Sequence, residues 1–238
     1  MLIKFAPEEI SKFDIIIDET EPVYPKAYLE EREREWQKHI EKNPKNWNGK
    51  IYDLRNIVNV GGRTKFFFRI SEFKDSVVRE RLTDTYILEK FGLNCLQQAA
   101  AVHVITLTTD NQMTFGKRTS FVFKEVNKYA WVGGALSPSE QLITTFNDVV
   151  KQGVNEFKEE AGFQIEVNDL ELYGLSLFRS IYAFVFKLKQ RVDIENFSDN
   201  EKIEFDRFIK IKPKDLIARN DLDELVEHLK IHIVNDFL

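Results

Sequence analysis

The chain is poor in the residues that build disulfide scaffolds, thiolate metal sites and membrane spans. Cys95 is the only cysteine among 238 residues, which excludes an intramolecular disulfide and any site with several cysteine ligands. The four histidines lack the spacing of a zinc site. No apolar run approaches the roughly 20 residues of a membrane helix, and the first residues lack the apolar centre of a secretory signal. We therefore expect a cytoplasmic protein that spans no membrane.

Basic residues are also fewer than acidic ones. The chain has 34 lysines and arginines against 39 acidic residues, and its formal net charge of −5 argues against nucleic acid as a partner. Apolar residues make up 43% of the chain and include 20 phenylalanines. This supply is sufficient for the core of one elaborated domain, or of one domain and a smaller lobe.

The chemically distinctive segment is an acidic cluster at the end of a predicted helix. Glu156 precedes Glu159 and Glu160 by three and four residues, so the three side chains lie one helical turn apart. An apolar stripe at helical spacing supports the helix: Leu142, Phe146, Val149, Val150, Val154, Phe157 and Ala161. Ser137 or Ser139 is the expected amino-terminal cap, and Gly162 the expected end.

These three carboxylates have two interpretations. A charge run on a helix is more often a solvated face than a site. However, carboxylates so close together repel one another unless a divalent cation neutralises them. Ligands that are all oxygen atoms suit Mg²⁺ or Mn²⁺.

The residues around this helix resemble the Nudix box, Gly-x5-Glu-x7-Arg-Glu-U-x-Glu-Glu-x-Gly-U, in which U is a bulky apolar residue. The matching residues are Gly134 and Glu140 in its first half and Glu156, Phe157, Glu159, Glu160, Gly162 and Phe163 in its second half. The gap after Glu140 is seven residues longer than in the family, which predicts an extended loop or an extra helical turn. Asn155 stands where the family has an arginine that orients the glutamates.

The resemblance implies an α/β fold, a Nudix-type α/β/α sandwich with a mixed sheet, over residues 97–238. An amino-terminal α+β subdomain would cover residues 1–96. Sequence patterns predict strands at 13–17, 51–60, 64–70, 99–109, 112–117, 129–132, 164–173, 180–189 and 204–211. They predict helices at 28–41, 76–91, 213–217 and 222–231.

Within this superfamily the chain is most similar to the UDP-glucose and UDP-galactose diphosphatases. The similar segments are Trp36 with Trp47-Asn48-Gly49, Leu82 to Tyr86 with Phe91-Gly92-Leu93-Asn94, Phe115 to Ser120, and the interrupted box. The branch implies a nucleoside diphosphate-linked small molecule as substrate. Water would cut its diphosphate in the presence of Mg²⁺ or Mn²⁺ and give UMP and a sugar 1-phosphate.

Positions of the family's site residues can be carried over to this chain. Glu156, Glu159 and Glu160 would ligate the metal together with the backbone carbonyl of Gly133, and one of the carboxylates would act as base. Three further residues are candidates for substrate binding: Lys117, Arg118 and Asn94. The basic pair would contact the diphosphate, because arginine offers a bidentate fork to phosphate, although a solvated hairpin end explains the pair equally well.

A further ligand or base would come from Glu171, Glu195, Glu201 or Glu204, among which the sequence singles out none. Two other functions also remain open. Another Nudix hydrolase, acting on ADP-ribose, coenzyme A or a dinucleotide, would differ only in its substrate. A Nudix-fold protein that binds a nucleotide sugar without cutting it is favoured by Asn155 and disfavoured by three carboxylates that repel one another.

Overall fold

The computed structural model describes residues 1–42, 44, 46, 48–120, 122, 125–138, 142–197, 204–212, 215 and 225. Within them the strands are β1 Leu2–Ile3, β2 Phe13–Asp18, β3 Lys50–Val60, β4 Arg63–Glu72, β5 Ala99–Ile105, β6 Met113–Arg118, β7 Tyr129–Ala130, β8 Leu170–Phe178, β9 Ile181–Leu188 and β10 Phe205–Ile211. The α-helices are α1 Lys26–Lys42, α2 Phe73–Arg81, α3 Asp84–Phe91 and α4 Phe146–Ala161. None of the described helices has the length and apolar character to cross a membrane.

The strands form one large mixed sheet and one small sheet. The large sheet has the order β1-β8-β9-β5-β3-β4-β2, in which β5–β9 and β2–β4 are parallel and the other pairs are antiparallel. The small sheet has the order β10-β6-β7 and is antiparallel. The mixed α/β class expected from the sequence is confirmed.

Strands from both predicted parts of the chain share the large sheet. The link is short, because β3 meets β5 only where Asp53 is opposite Ala99. Beyond that point, residues 132–136 take the place of β3 beside β5: Ala135 is opposite Ala101, and Val132 is opposite Val104. The division into residues 1–96 and 97–238 stays a prediction.

Local sequence explains the best-predicted elements. Gly61 and Gly62 join β3 to β4 with φ values of +59° and +73°, the left-handed backbone that a two-residue hairpin turn requires. In the core, Phe146 of α4 packs edge to face against Phe13 of β2 at 5.0 Å and against Phe184 of β9 at 5.6 Å. These contacts hold the first turn of α4 against the sheet.

Several predicted boundaries were wrong for local reasons. The single helix predicted at 76–91 is two helices, because Thr83 interrupts it and accepts a hydrogen bond from the amide of Tyr86 at the start of α3. The strand predicted at 164–173 begins only at Leu170, after a 3-10 turn at Val167–Asp169. The strand predicted at 99–109 ends at Ile105. Apart from Asp215 and Leu225, the two helices predicted after residue 212 lie outside the described residues, as do Trp47, Ser139, Glu140 and Glu201. Leu225 forms an isolated parallel bridge with Tyr129.

Candidate functional site

Helix α4 begins later than the sequence predicted. Its amino-terminal cap is Thr145, whose amide donates to Asp148 Oδ2 at 2.9 Å in a capping box. The prediction of a cap at Ser137 or Ser139 was wrong, because residues 142–144 are not helical and the helix begins only at Phe146. The helix ends at Gly162, as predicted, with a φ of +62°.

The apolar stripe of α4 is confirmed except at its first member. Val149, Phe157 and Ala161 are completely buried, whereas Leu142 precedes the helix and is exposed. Glu156 and Glu160 lie along one edge of this buried stripe and contact the segment Gly133-Gly134. Both glutamates are half-buried, and Glu159 is exposed.

The two consecutive glycines allow this close approach. A methyl group on Gly134 would lie 2.5 Å from Glu156 Oε2, so any larger residue would displace that carboxylate. Gly133 has a φ of +147°, and a methyl group there would overlap the carbonyl oxygen of Val102. The amide of Gly133 donates to Glu160 Oε2 at 2.7 Å. The glycine pair therefore contacts β5 on one side and the glutamates of α4 on the other.

A fourth glutamate joins this cluster from the small sheet. Glu204 directly precedes β10, and its carbonyl accepts a hydrogen bond from the amide of Thr119 at 2.8 Å. Its side chain hydrogen-bonds to Glu160. Two carboxyl groups can form such a bond only if one of them carries a proton.

The carboxylates of this cluster disfavour ionisation of one another. Burial, followed by the charge of Glu204 and then of Glu159, raises the pKa of Glu156 to about 8. Burial, followed by the charges of Glu204 and Glu156, raises the pKa of Glu160 well above its ordinary range, and the Gly133 amide opposes this shift. Positive charge at this position would oppose both shifts, because it favours the ionised form of each carboxyl.

The chemistry of the donor set fits a divalent cation. Every candidate ligand is an oxygen, as Mg²⁺ and Mn²⁺ prefer. In the observed rotamers, however, no three Asp, Glu, His or Cys side chains of the described residues converge to hold an ion. Coordination by three of the glutamates would therefore need a change of rotamer, with the carboxyl–carboxyl hydrogen bond of Glu160 and Glu204 broken.

The carbonyl of Gly133, which the resemblance named as a ligand, is not used by the described backbone. Within the described part of the chain its oxygen accepts no backbone hydrogen bond, whereas that of Gly134 accepts from the amide of Val102 at 2.9 Å. Its role as a ligand stays a prediction.

The predicted basic pair lies close to the acidic cluster. Lys117 and Arg118 end β6 and are half-buried, and Arg118 is opposite Phe205, the residue after Glu204. Arg118 Nε is buried and finds no hydrogen-bond partner within the described structure. A buried guanidinium nitrogen without an acceptor is suited to an anionic ligand.

No contact of the described structure joins Asn94 to this cluster. Asn94 is exposed in a 3-10 turn before β5, and its carbonyl accepts a hydrogen bond from Arg69 at 3.1 Å. Gly133 contacts β5 further along the chain, at Val102 and His103. A role for Asn94 in substrate binding stays a prediction.

Sequence reasoning missed the importance of Glu204. The strand that follows Glu204 was recognisable, but its pairing with β6 depends on contacts between residues about 90 positions apart, which no local pattern encodes. Asn155, by contrast, was correctly noticed as a departure. Its side chain is exposed and makes no hydrogen bond in the described part of the chain, so it does not replace the orienting arginine of the Nudix box.

Comparisons with known proteins give likenesses of structure only. No family model and no curated protein match the chain. A Deinococcus radiodurans protein is 17% identical over 59% of this chain and 83% of its own, with a TM-score of 0.43. A MutT protein from Methanosarcina mazei is 15% identical over 57% and 90%, with a TM-score of 0.43. A MutT structure from work on Aliivibrio salmonicida and Vibrio cholerae is 13% identical over 58% and 98%, with a TM-score of 0.40.

Proposed function

We propose that this protein is a metal-dependent hydrolase that cuts the diphosphate of a nucleoside diphosphate linked to another group. The observation that carries the proposal is the meeting of Glu156, Glu160 and Glu204 beside the Gly133-Gly134 segment. Side chains from two separate elements are held together despite their mutual repulsion. An arrangement of this kind is favourable when a cation occupies it for part of the protein's working cycle.

The bound cation would polarise the phosphate oxygens and lower the pKa of a water molecule. In the reaction, the water oxygen bonds to one phosphorus while the bridging P–O bond breaks, and the bridging oxygen leaves with the other phosphate. One glutamate, ionised while the cation is bound, would accept a proton from the water. The amide of Gly133 keeps Glu160 oriented, and Arg118 binds the charge of the phosphates.

We propose UDP-glucose and UDP-galactose as the first substrates to test, on the basis of the sequence resemblance, with UMP and hexose 1-phosphate as products. ADP-ribose, coenzyme A and NADH represent the alternative Nudix substrates. A protein that only binds a nucleotide sugar is the second candidate, and the exposed Asn155 without a described hydrogen bond is the observation that favours it.

A hydrolysis screen in ¹⁸O-labelled water tests the proposal. All five compounds are incubated with the protein and Mg²⁺, Mn²⁺ or a chelator, and the products are identified by mass. We expect metal-dependent release of UMP and hexose 1-phosphate, and the labelled product identifies the phosphorus attacked. Turnover of another compound would support a hydrolase but contradict UDP-glucose and UDP-galactose as its substrates. Tight binding of UDP-glucose with no turnover of any compound would refute the hydrolase and support a protein that only binds a nucleotide sugar.

A further inference from the structure

One face of α4 carries a row of three side chains that contact a single short segment. Gln152, Glu156 and Glu160 are spaced four residues apart, so they lie along the same side of the helix. The segment 133–137 runs opposite this row in the reverse direction. Glu160 accepts from the amide of Gly133 at 2.7 Å, and Glu156 lies against Gly134.

Gln152 completes the row through two hydrogen bonds to the backbone of Ser137. The Ser137 amide donates to Gln152 Oε1 at 2.9 Å, and Gln152 Nε2 donates to the Ser137 carbonyl at 2.7 Å. A carboxamide has one acceptor and one donor group on the same plane, so it pairs with both backbone groups of one residue. A charged or hydroxyl side chain at position 152 would not pair with both the amide and the carbonyl of Ser137 in this way.

Ser137 precedes Glu140, after which the interrupted box has its seven additional residues. On the far side of Glu140, the amide of Ile143 donates to the Tyr52 hydroxyl at 2.9 Å. The chain is therefore attached on both sides of Glu140, and the glycine pair is held by contacts of its own segment. On its other side, the pair is fixed by the hydrogen bonds of Val102 and Val104 to the carbonyls of Gly134 and Val132, each 2.9 Å long.

We infer that Gln152 is a positioning residue that sets the register of the Gly133–Ser137 segment against α4 and thereby holds Glu156 and Glu160 in place. This task belongs to the arginine of the Nudix box, whose position is taken here by the exposed Asn155. The inference concerns the site of the proposed function. It also explains how seven additional residues can precede the helix without disturbing the glutamates.

The first test needs neither metal nor substrate. Gln152→Met keeps the length of the side chain and removes both hydrogen bonds. We expect the Gly133 amide, followed by NMR hydrogen exchange, to exchange at least about tenfold faster in this variant, because its acceptor Glu160 is no longer held in register. Amides of the central strands should be unaffected. The matched control is Gln37→Met, because Gln37 lies on α1 and bonds only to the exposed Glu33.

The second test measures the consequence for the site. Calorimetric titration with Mn²⁺ should show about tenfold weaker binding to Gln152→Met, the usual effect of losing a group that orients ligands. With substrate, kcat should fall and the metal concentration for half-maximal rate should rise, while KM for the nucleotide changes little. The Gln37→Met control should match the wild type in each measurement.

The outcomes separate this inference from the proposed function. Exchange of the Gly133 amide within about twofold of the wild type in Gln152→Met would refute the positioning role. Accelerated exchange confined to residues 133–137, in a protein that neither binds Mn²⁺ nor hydrolyses any compound, would support the positioning role and refute the hydrolase. Faster exchange of amides throughout the sheet would mean that Gln152 only stabilises the fold as a whole, and this result would overturn the inference.

Discussion

Asp53 is buried and Glu160 is half-buried, and the neighbours of the two carboxylates differ. Asp53 is completely buried and accepts hydrogen bonds from Arg69 Nη2 at 2.6 Å, from the Gln98 amide at 2.7 Å and from Arg55 at 3.3 Å. Glu160 accepts one bond from the Gly133 amide and otherwise faces Glu204 and Glu156. One carboxylate is surrounded by donors, the other by further carboxylates.

The rest of the amino-terminal part repeats the pattern of Asp53. Asp75 accepts a hydrogen bond from the Tyr28 hydroxyl at 2.7 Å and forms an ion pair with Arg32 at 3.4 Å. Its pKa is raised by burial, and Arg32 and Tyr28 oppose that rise. A buried carboxylate that accepts hydrogen bonds from donors within the fold has a structural role. A cluster of carboxyl groups that share a proton, and that have few other donors, is a candidate site for a cation from solution.

The largest expected effect comes from breaking the matched cluster. Asp53→Asn would leave Arg69 and Arg55 without their anion and place an amide group against other donors. We expect a loss of about 3–5 kcal/mol in the free energy of unfolding, measured by urea denaturation. Asp14→Asn is the control, because Asp14 pairs with Arg63 at an exposed position and should contribute far less to stability. Equal losses in the two variants would contradict a special role for the buried pair.

The contrast between these clusters was only partly accessible from the sequence. The glutamates of α4 and the glycines opposite them are close in sequence and follow a spacing, so both were identified. Glu204 and the partners of Asp53 reach their positions through strand pairing, such as Asp53 opposite Ala99 and Arg118 opposite Phe205. Pairing of distant strands depends on the whole fold rather than on local periodicity. For the same reason the cap of α4 was misplaced, since a loop and a helical turn have similar local composition.

The second effect tests the unmatched cluster. Glu160→Gln should reduce turnover at least about a hundredfold, because it removes a metal ligand, a loss no smaller than that from groups that only orient ligands. The melting temperature without metal should stay the same or rise, because a neutral amide replaces a carboxyl whose ionisation is disfavoured by burial and by its neighbours. Glu171→Gln, at an exposed position on β8, should change neither quantity. Full activity in Glu160→Gln would remove Glu160 from the metal site.

The pH dependence of stability sharpens the comparison further. The folded pKa of Glu156, about 8, is above its ordinary value of 4.5, so the folded state holds a proton that the unfolded state releases. Its stabilising contribution is complete below pH 4.5 and is lost as the pH rises through 8. The melting temperature in a chelator should therefore fall across this window. Added Mg²⁺ should flatten the profile, because the metal displaces protons, and Glu204→Gln should flatten it without metal. A flat profile for the wild type in chelator would contradict the coupling of these carboxyls.

The smallest effect is expected at Asn155, although it is the most conspicuous departure from the Nudix box. Asn155→Arg would place an exposed guanidinium one turn before the exposed Glu159, an interaction of about 0.3–0.5 kcal/mol. Since Gly133 already orients Glu160 and Gln152 fixes Gly133, we expect Mn²⁺ affinity and turnover to be preserved or raised by less than about threefold, measured by calorimetry and by product release. Gln37→Arg, one turn after Glu33 on α1, controls for an added charge on a helix. A tenfold gain restricted to Asn155→Arg would mean that the glutamates still lack the support of an arginine, and that the contacts of the glycine segment replace it only in part.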